Sequence, residues 1–225
     1  MQKPMSSAAK IEVKFLMKTG KFLAAVLAGA LIFSPVVHAE TIDDYDAIIA
    51  ENPSDAKAYS SRGKAYFQAK EYEHAVADYT NAIELNPNDS VLYGNRGKAY
   101  LYLKDYARAA EDFSKAIELD PNNATYYNCR GYAYFFLEDY ERAIADYTKA
   151  IALEPNNAAY YSDRGFSYHM LKDYARAVED FTKALELGST EVEIYRYRRE
   201  AYRALGENEK AEADFAKFIE LSDKK

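Results

Sequence analysis

Apolar and polar positions along this chain recur with a step of 34 residues. Gly63, Gly97, Gly131 and Gly165 keep that step. So do Tyr66, Tyr100, Tyr134, Tyr168 and Tyr202, and Ala75, Ala109, Ala143, Ala177 and Ala211. Two charged rows run beside them: Arg62, Arg96, Arg130, Arg164 and Arg198, and Asp78, Asp112, Asp146, Asp180 and Asp214. Five rows in one phase are an internal repeat, which decides the architecture. Within a period, Tyr93, Gly97, Tyr100 and Leu103 lie at i, i+4, i+7 and i+10, one face of a helix. Ala109, Phe113, Ala116 and Ile117 make the inward face of a second helix. Lys104-Asp105 breaks the pattern between them, and Asp105 is placed as an N-cap, as are Asp139 and Asp173; Glu71 and Glu207 are weaker caps at the equivalent sites. Pro87, Pro121 and Pro155 close three of the periods, since proline cannot continue a helix. Gly97 faces the Ala109 to Phe113 stretch across the hairpin, which lets the two backbones approach. One hairpin cannot bury its apolar face alone, but a stack of them can.

The order of Tyr127, Gly131, Tyr134, Ala143, Tyr147, Ala150 and Pro155 resembles the tetratricopeptide repeat. The resemblance covers 56 to 225 and implies an all-α fold, a right-handed α-solenoid of helical hairpins. Five repeats are expected, at 56–89, 90–123, 124–157, 158–191 and 192–225. Asp44-Tyr45 through Pro53 copies the end of a second helix, so 40–55 is expected to hold an N-terminal capping helix, a half repeat. Departures from the family pattern are systematic. Arg62 and its four equivalents stand where Leu is frequent, and Lys70, Lys104, Glu138 and Lys172 where Gly is frequent. In the last unit Arg199 replaces the Gly, Phe218 the second Ala, and Gly188-Ser189 the residue–Pro pair before it, which predicts a looser final hairpin.

Residues 1–39 read differently. Lys3, Lys10, Lys14, Lys18 and Lys21 precede an apolar block from Phe22 to Val37, and Val37-His38-Ala39 follows a cleavage pattern. That order predicts a signal peptide cleaved after Ala39, with Met1 or Met17 as the initiator and a periplasmic or secreted product. The alternative is an uncleaved segment anchored in the inner membrane, although the block is short for a span of ~20 residues. The chain of 225 residues has a formal net charge of -7. Residues 1–39 hold five Lys and one Glu, so without them 24 basic residues face 35 acidic ones and the charge is -11. An acidic balance argues against nucleic acid as a partner. The single Cys, Cys129, has no internal disulfide partner.

Candidate chemistry is sparse. Past the leader the chain has two His, His74 on an outer helix face and His169 on a first-helix face. No Cys/His metal spacing or phosphate-binding Gly loop is present. The expectation is no catalysis, no cofactor, no metal and no small-molecule substrate. The Arg and Asp rows predict structural pairs rather than a ligand site, since each unit carries its own Asp. The family resemblance implies a groove lined by first-helix positions: Lys64, Asn95, Lys98, Tyr102, Asn128, Tyr132, Phe135, Phe136, Phe166, His169, Met170 and Tyr197, with Phe67 and Arg196 beside them. Family members that clamp a C-terminal carboxylate use Lys, Asn and Arg in three successive units. Only Lys64 and Asn95 fit here, and Thr125 and Cys129 occupy two of the cationic places, so that type is not expected. An aromatic groove suits a protein or peptide ligand. The expected function is therefore an adaptor of the bacterial cell envelope; the alternative is a self-associating subunit, a homodimer.

Overall fold

The structure, a computed structural model, describes residues 41 to 223; the leader and its cleavage site lie outside the described residues. These residues form eleven helices and no strand. Helix α1 is Ile42–Glu51. Five hairpins follow: α2 (Ala56–Gln68) with α3 (Tyr72–Leu85), α4 (Ser90–Tyr102) with α5 (Tyr106–Leu119), α6 (Ala124–Phe136) with α7 (Tyr140–Leu153), α8 (Ala158–Met170) with α9 (Tyr174–Glu186), and α10 (Val192–Ala204) with α11 (Asn208–Ser222). Consecutive first helices touch, whereas consecutive second helices do not. The first helices therefore form the inner side of the stack and the second helices fan apart behind them.

Local chemistry explains each boundary. Asp55, Asp89, Asn123 and Asn157 cap the first helices through side-chain bonds to backbone amides. Asp105, Asp139 and Asp173 cap second helices in the same way, while Glu71 and Glu207 occupy the cap without such a bond. The hairpin turns place Lys70, Lys104, Glu138 and Lys172 at φ of 64°, 60°, 61° and 60°. The next amide bonds back five residues, as Asp139 N does to the Tyr134 carbonyl at 2.9 Å. This left-handed helix ending is glycine's natural place, and Gly206 fills it in the last hairpin. At the far end of three second helices, Asn86, Asp120 and Glu154 leave the helical region, with ψ of 78°, 86° and 80°, as the following Pro disfavours a helical residue before it. α9 ends instead on Gly188.

The core runs between the two helices of each hairpin. Phe113, Tyr147 and Phe181 are almost fully buried there beside Ala109, Ala143 and Ala177. A Cβ on Gly131 would sit 2.8 Å from the Tyr147 ring, and one on Gly165 would sit 2.9 Å from Phe181. Where Arg199 takes the Gly place, its guanidinium lies 4.0 Å from the Phe215 ring centre, and Phe215 is 36% exposed against 0% for Phe181. The last hairpin is the looser one.

The charged rows are structural. In every hairpin the Arg Nε and Nη2 donate to both oxygens of the Asp sixteen residues on, at 2.6–2.8 Å. The remaining Nη1 donates backward to the preceding second helix. Arg62 reaches Asp46 at 2.6 Å; Arg96, Arg130, Arg164 and Arg198 reach the hydroxyls of Thr80, Ser114, Thr148 and Thr182 at 3.0–3.1 Å. One guanidinium thus joins two helices within a hairpin and pins it to its neighbour, a use of a planar fork that Lys or Leu could not supply.

Candidate functional site

The inner side of the stack carries the twelve candidate residues, none of them fully buried. Tyr102, Phe136, Met170 and Tyr132 are 61%, 45%, 45% and 41% exposed, and Lys64 is exposed as well. Asn95, Lys98, Asn128, Phe135, Phe166, His169 and Tyr197 are half-buried, like Phe67 and Arg196. Three aromatic clusters form. Tyr102 stacks on Tyr72 at 4.8 Å and meets Phe67 edge-on at 5.2 Å. Phe136 stacks on Tyr106 at 4.8 Å and contacts Tyr132 and Phe135, the latter also touching Tyr140. Phe166 packs between Phe181 and Tyr197, each at 5.0 Å.

Tyr72, Tyr106, Tyr140 and Tyr174 are absent from the sequence reading of the groove. Each opens a second helix, and all four stack against or edge onto first-helix rings. Their 34-residue spacing was visible, but their position at the turn, rather than on a first helix, hid their use. His169 is packed rather than displayed. Its side chain is 13% exposed and its ring is wedged against Tyr174 and Tyr197 at 5.4 and 5.0 Å. Neither ring nitrogen has a hydrogen-bond partner, and Glu200 lies 3.5 Å from Nε2. Burial holds its pKa below the usual imidazole value against the pull of Glu200, so it is a neutral packing ring. Phe166 likewise leans into the core through Phe181 rather than standing free.

One polar pair joins two first helices. Asn128 Nδ2 donates to Asp163 at 2.8 Å. Burial pushes the Asp163 carboxyl up to about 6, with the Asn128 bond opposing and the charge of Glu191 adding to the shift. Burial also pushes the Cys129 thiol up to about 11, which leaves it an unreactive filler. Towards α10 a cavity of about 570 Å³ opens between Phe135, Phe166, Val192 and Tyr197, with Glu191, Glu193 and Arg196 at its rim. His74 lies elsewhere, exposed and 2.9 Å from Glu71. Among the described residues no group of three or more His, Cys, Asp or Glu could hold a metal ion, and no helix is long and apolar enough to cross a membrane.

Comparison with known proteins bears on the repeat and the fold. Models described as "Tetratricopeptide repeat" match residues 56–89, 90–123, 113–145 and 158–190, and one described as "TPR repeat" matches 131–172. Together they run from 56 to 190, more than half of the 225 residues. No curated protein matches the chain. A crystal structure of MamA is 25% identical with a TM-score of 0.69, over 72% of this chain and 95% of that one. YrrB, solved as a protein of this repeat type with an unusual peptide-binding site, is 24% identical with a TM-score of 0.69, over 80% and 93%. The first repeat domain of Spaghetti (RPAP3), solved with the HSP90 peptide SRMEEVD, is 33% identical with a TM-score of 0.51, over 52% and 92%.

Proposed function

The chain belongs to the tetratricopeptide repeat family, and from that premise we propose that it is a non-catalytic adaptor of the bacterial cell envelope. Its first-helix groove holds a peptide or helix of a partner protein. The observation that carries the reading is the row of Tyr102, Tyr132 and Phe136, three rings of which 41% or more stays in water on one side of the stack. Rings grouped on a surface in this way mark a contact face, and aromatic side chains hold much apolar area at little entropy cost. The RPAP3 domain, solved with a peptide bound, supports peptide binding as the mode. Residues 1–39 supply the export signal, so the working protein begins at Glu40. The test is to express the full chain in a host that exports proteins, recover it from the periplasmic fraction and sequence its amino terminus. Cross-linking there should capture a partner at the groove. An intact leader in the membrane fraction contradicts the export half of the proposal. Light scattering that finds only a dimer with the groove covered contradicts the adaptor half and favours the self-associating alternative.

A further inference from the structure

The inner side of the stack is not uniform in charge. Helices α2, α4 and α6 contain no Asp or Glu. Their arginines are tied to Asp78, Asp112 and Asp146, but Lys57, Lys64 and Lys98 make no ion pair among the described residues. The second helices behind them, α3, α5 and α7, carry eight carboxylates against four Lys and Arg. In a chain of net charge -7 this segregation leaves a cation-bearing strip on the groove side, with Asp163 of α8 the carboxylate that adjoins it through Asn128. Further along, the surroundings change sign. The first-helix position of Lys64 and Lys98 becomes Tyr132, then Phe166, then Glu200. The cavity between Phe135, Phe166 and Tyr197 follows, rimmed by Glu191 and by Glu193, whose charge Arg196 already meets at 2.5 Å.

We infer that the segment held in the groove is acidic at one end, its carboxylates lying over Lys64 and Lys98, and places a large apolar side chain in the cavity between Phe135, Phe166 and Tyr197. This rests on the groove reading proposed above and adds to it a chemistry and a direction. The lysines recruit and orient the acidic end, because an unpaired cation gains from an opposite charge, half-buried Lys98 more than exposed Lys64. Glu191 at the other end, without an ion pair among the described residues, repels that same acidic end and so disfavours the reversed orientation. Lysines at these positions are point charges on flexible stems, so they ask for carboxylates in a segment rather than one clamped terminus. Spacing follows from the stack. Helix axes pack roughly 9 Å apart, so two steps from α4 to α8 cover ~18 Å. An extended chain advances about 3.3 Å per residue, which puts the apolar anchor about five or six residues from the acid that meets Lys98.

The test is selection from a phage library of random twelve-residue peptides displayed without a free carboxyl terminus. It is run on three proteins: the wild type, Lys64→Glu/Lys98→Glu, and Tyr102→Ala/Tyr132→Ala/Phe136→Ala. Helical circular dichroism checks each fold. The wild type should enrich peptides with two or more acids placed five or six residues from an aromatic or large aliphatic residue. A selected peptide, made synthetically with an amidated end, should bind the charge-reversed protein at least about tenfold more weakly. Its affinity for the wild type should fall as salt rises. Enriched peptides with no acidic bias, bound equally by the charge-reversed protein and insensitive to salt, overturn the acidic assignment while leaving the groove in place. Peptides that bind the ring-substituted protein as well as the wild type overturn the groove reading itself.

Discussion

The Arg and Asp rows show what one residue does when a repeat multiplies it. Asp146 is buried, and Arg130 is its bidentate partner. Asp146→Ala leaves a guanidinium that is mostly out of water without its anion, and should destabilise by about 1–4 kcal/mol in chemical denaturation. The sequence alone suggests that Leu, frequent in the family, would be tolerated in place of Arg130. Burial of the Asp146 carboxylate reverses that expectation for the single change. Arg130→Leu strands the carboxylate, and the double variant with Asp146→Leu should be more stable than Arg130→Leu alone. Equal stability of the two would show that the pair is solvated and not structural. Asp163 is the opposite case, a carboxylate with an amide partner and no cation. Its pKa of about 6 lies above the ordinary carboxylate value of roughly 3.9. The folded state therefore binds its proton more tightly than the unfolded chain does. The stability this gives is present below about pH 4 and is lost as pH rises towards 6. Asp163→Asn can still accept the Asn128 bond and removes that loss. Because Asp163 keeps some exposure, the gain of the variant over wild type should grow by only about 1–2 kcal/mol from pH 4 to pH 7. A difference that does not vary with pH contradicts the raised pKa.

At the scale of the hairpin, the sequence announced the helices and their caps but not the conformation of the turn. Lys70, Lys104, Glu138 and Lys172 look like ordinary surface residues, and only comparison with the family pattern marks them as places where Gly is frequent. The backbone keeps glycine's geometry at all four, because the two hydrogen bonds that end each first helix require it. Glu138→Gly should therefore stabilise by about 0.5–1 kcal/mol despite the greater freedom it gives the unfolded chain. No gain in the thermal midpoint would count against strain at the turn. The helix-packing glycines behave in the opposite way. Gly131→Ala puts a methyl group against the nearly fully buried Tyr147 ring and should cost about 1–3 kcal/mol, outweighing the better helix propensity of Ala. The same change in the last hairpin has no counterpart, because Arg199 already holds that place and Phe215 has moved outward to admit it.

At the scale of the whole molecule, period and phase carried most of the fold. Rows of Gly, Ala, Tyr, Arg and Asp fixed which residues face which within a hairpin, and the Arg–Asp pairs followed from them. Contacts between hairpins were less legible. Nothing in the spacing says that Arg130 also reaches back to Ser114, or that Tyr106 of one hairpin stacks on Phe136 of the next, because a repeat length does not encode the rotation between successive units. That rotation also decides which inner-side rings are displayed. Tyr102, Tyr132 and Phe136 stay in water, whereas Phe166 and His169, on the same helical face by sequence, are drawn inward by Phe181, Tyr174 and Tyr197. A decisive substitution should therefore leave Phe166 alone and remove the displayed rings. The measurement is a calorimetric titration of the cross-linked partner's segment into wild type and into Tyr102→Ala/Tyr132→Ala/Phe136→Ala, with Lys149→Ala/Glu179→Ala on the second helices as control. Each anchoring ring should contribute on the order of 1–3 kcal/mol, so the triple variant should lose at least about a hundredfold in affinity while its helical circular dichroism and the control's affinity stay unchanged. Full-strength binding by a folded triple variant would contradict the account and move the binding surface off the groove.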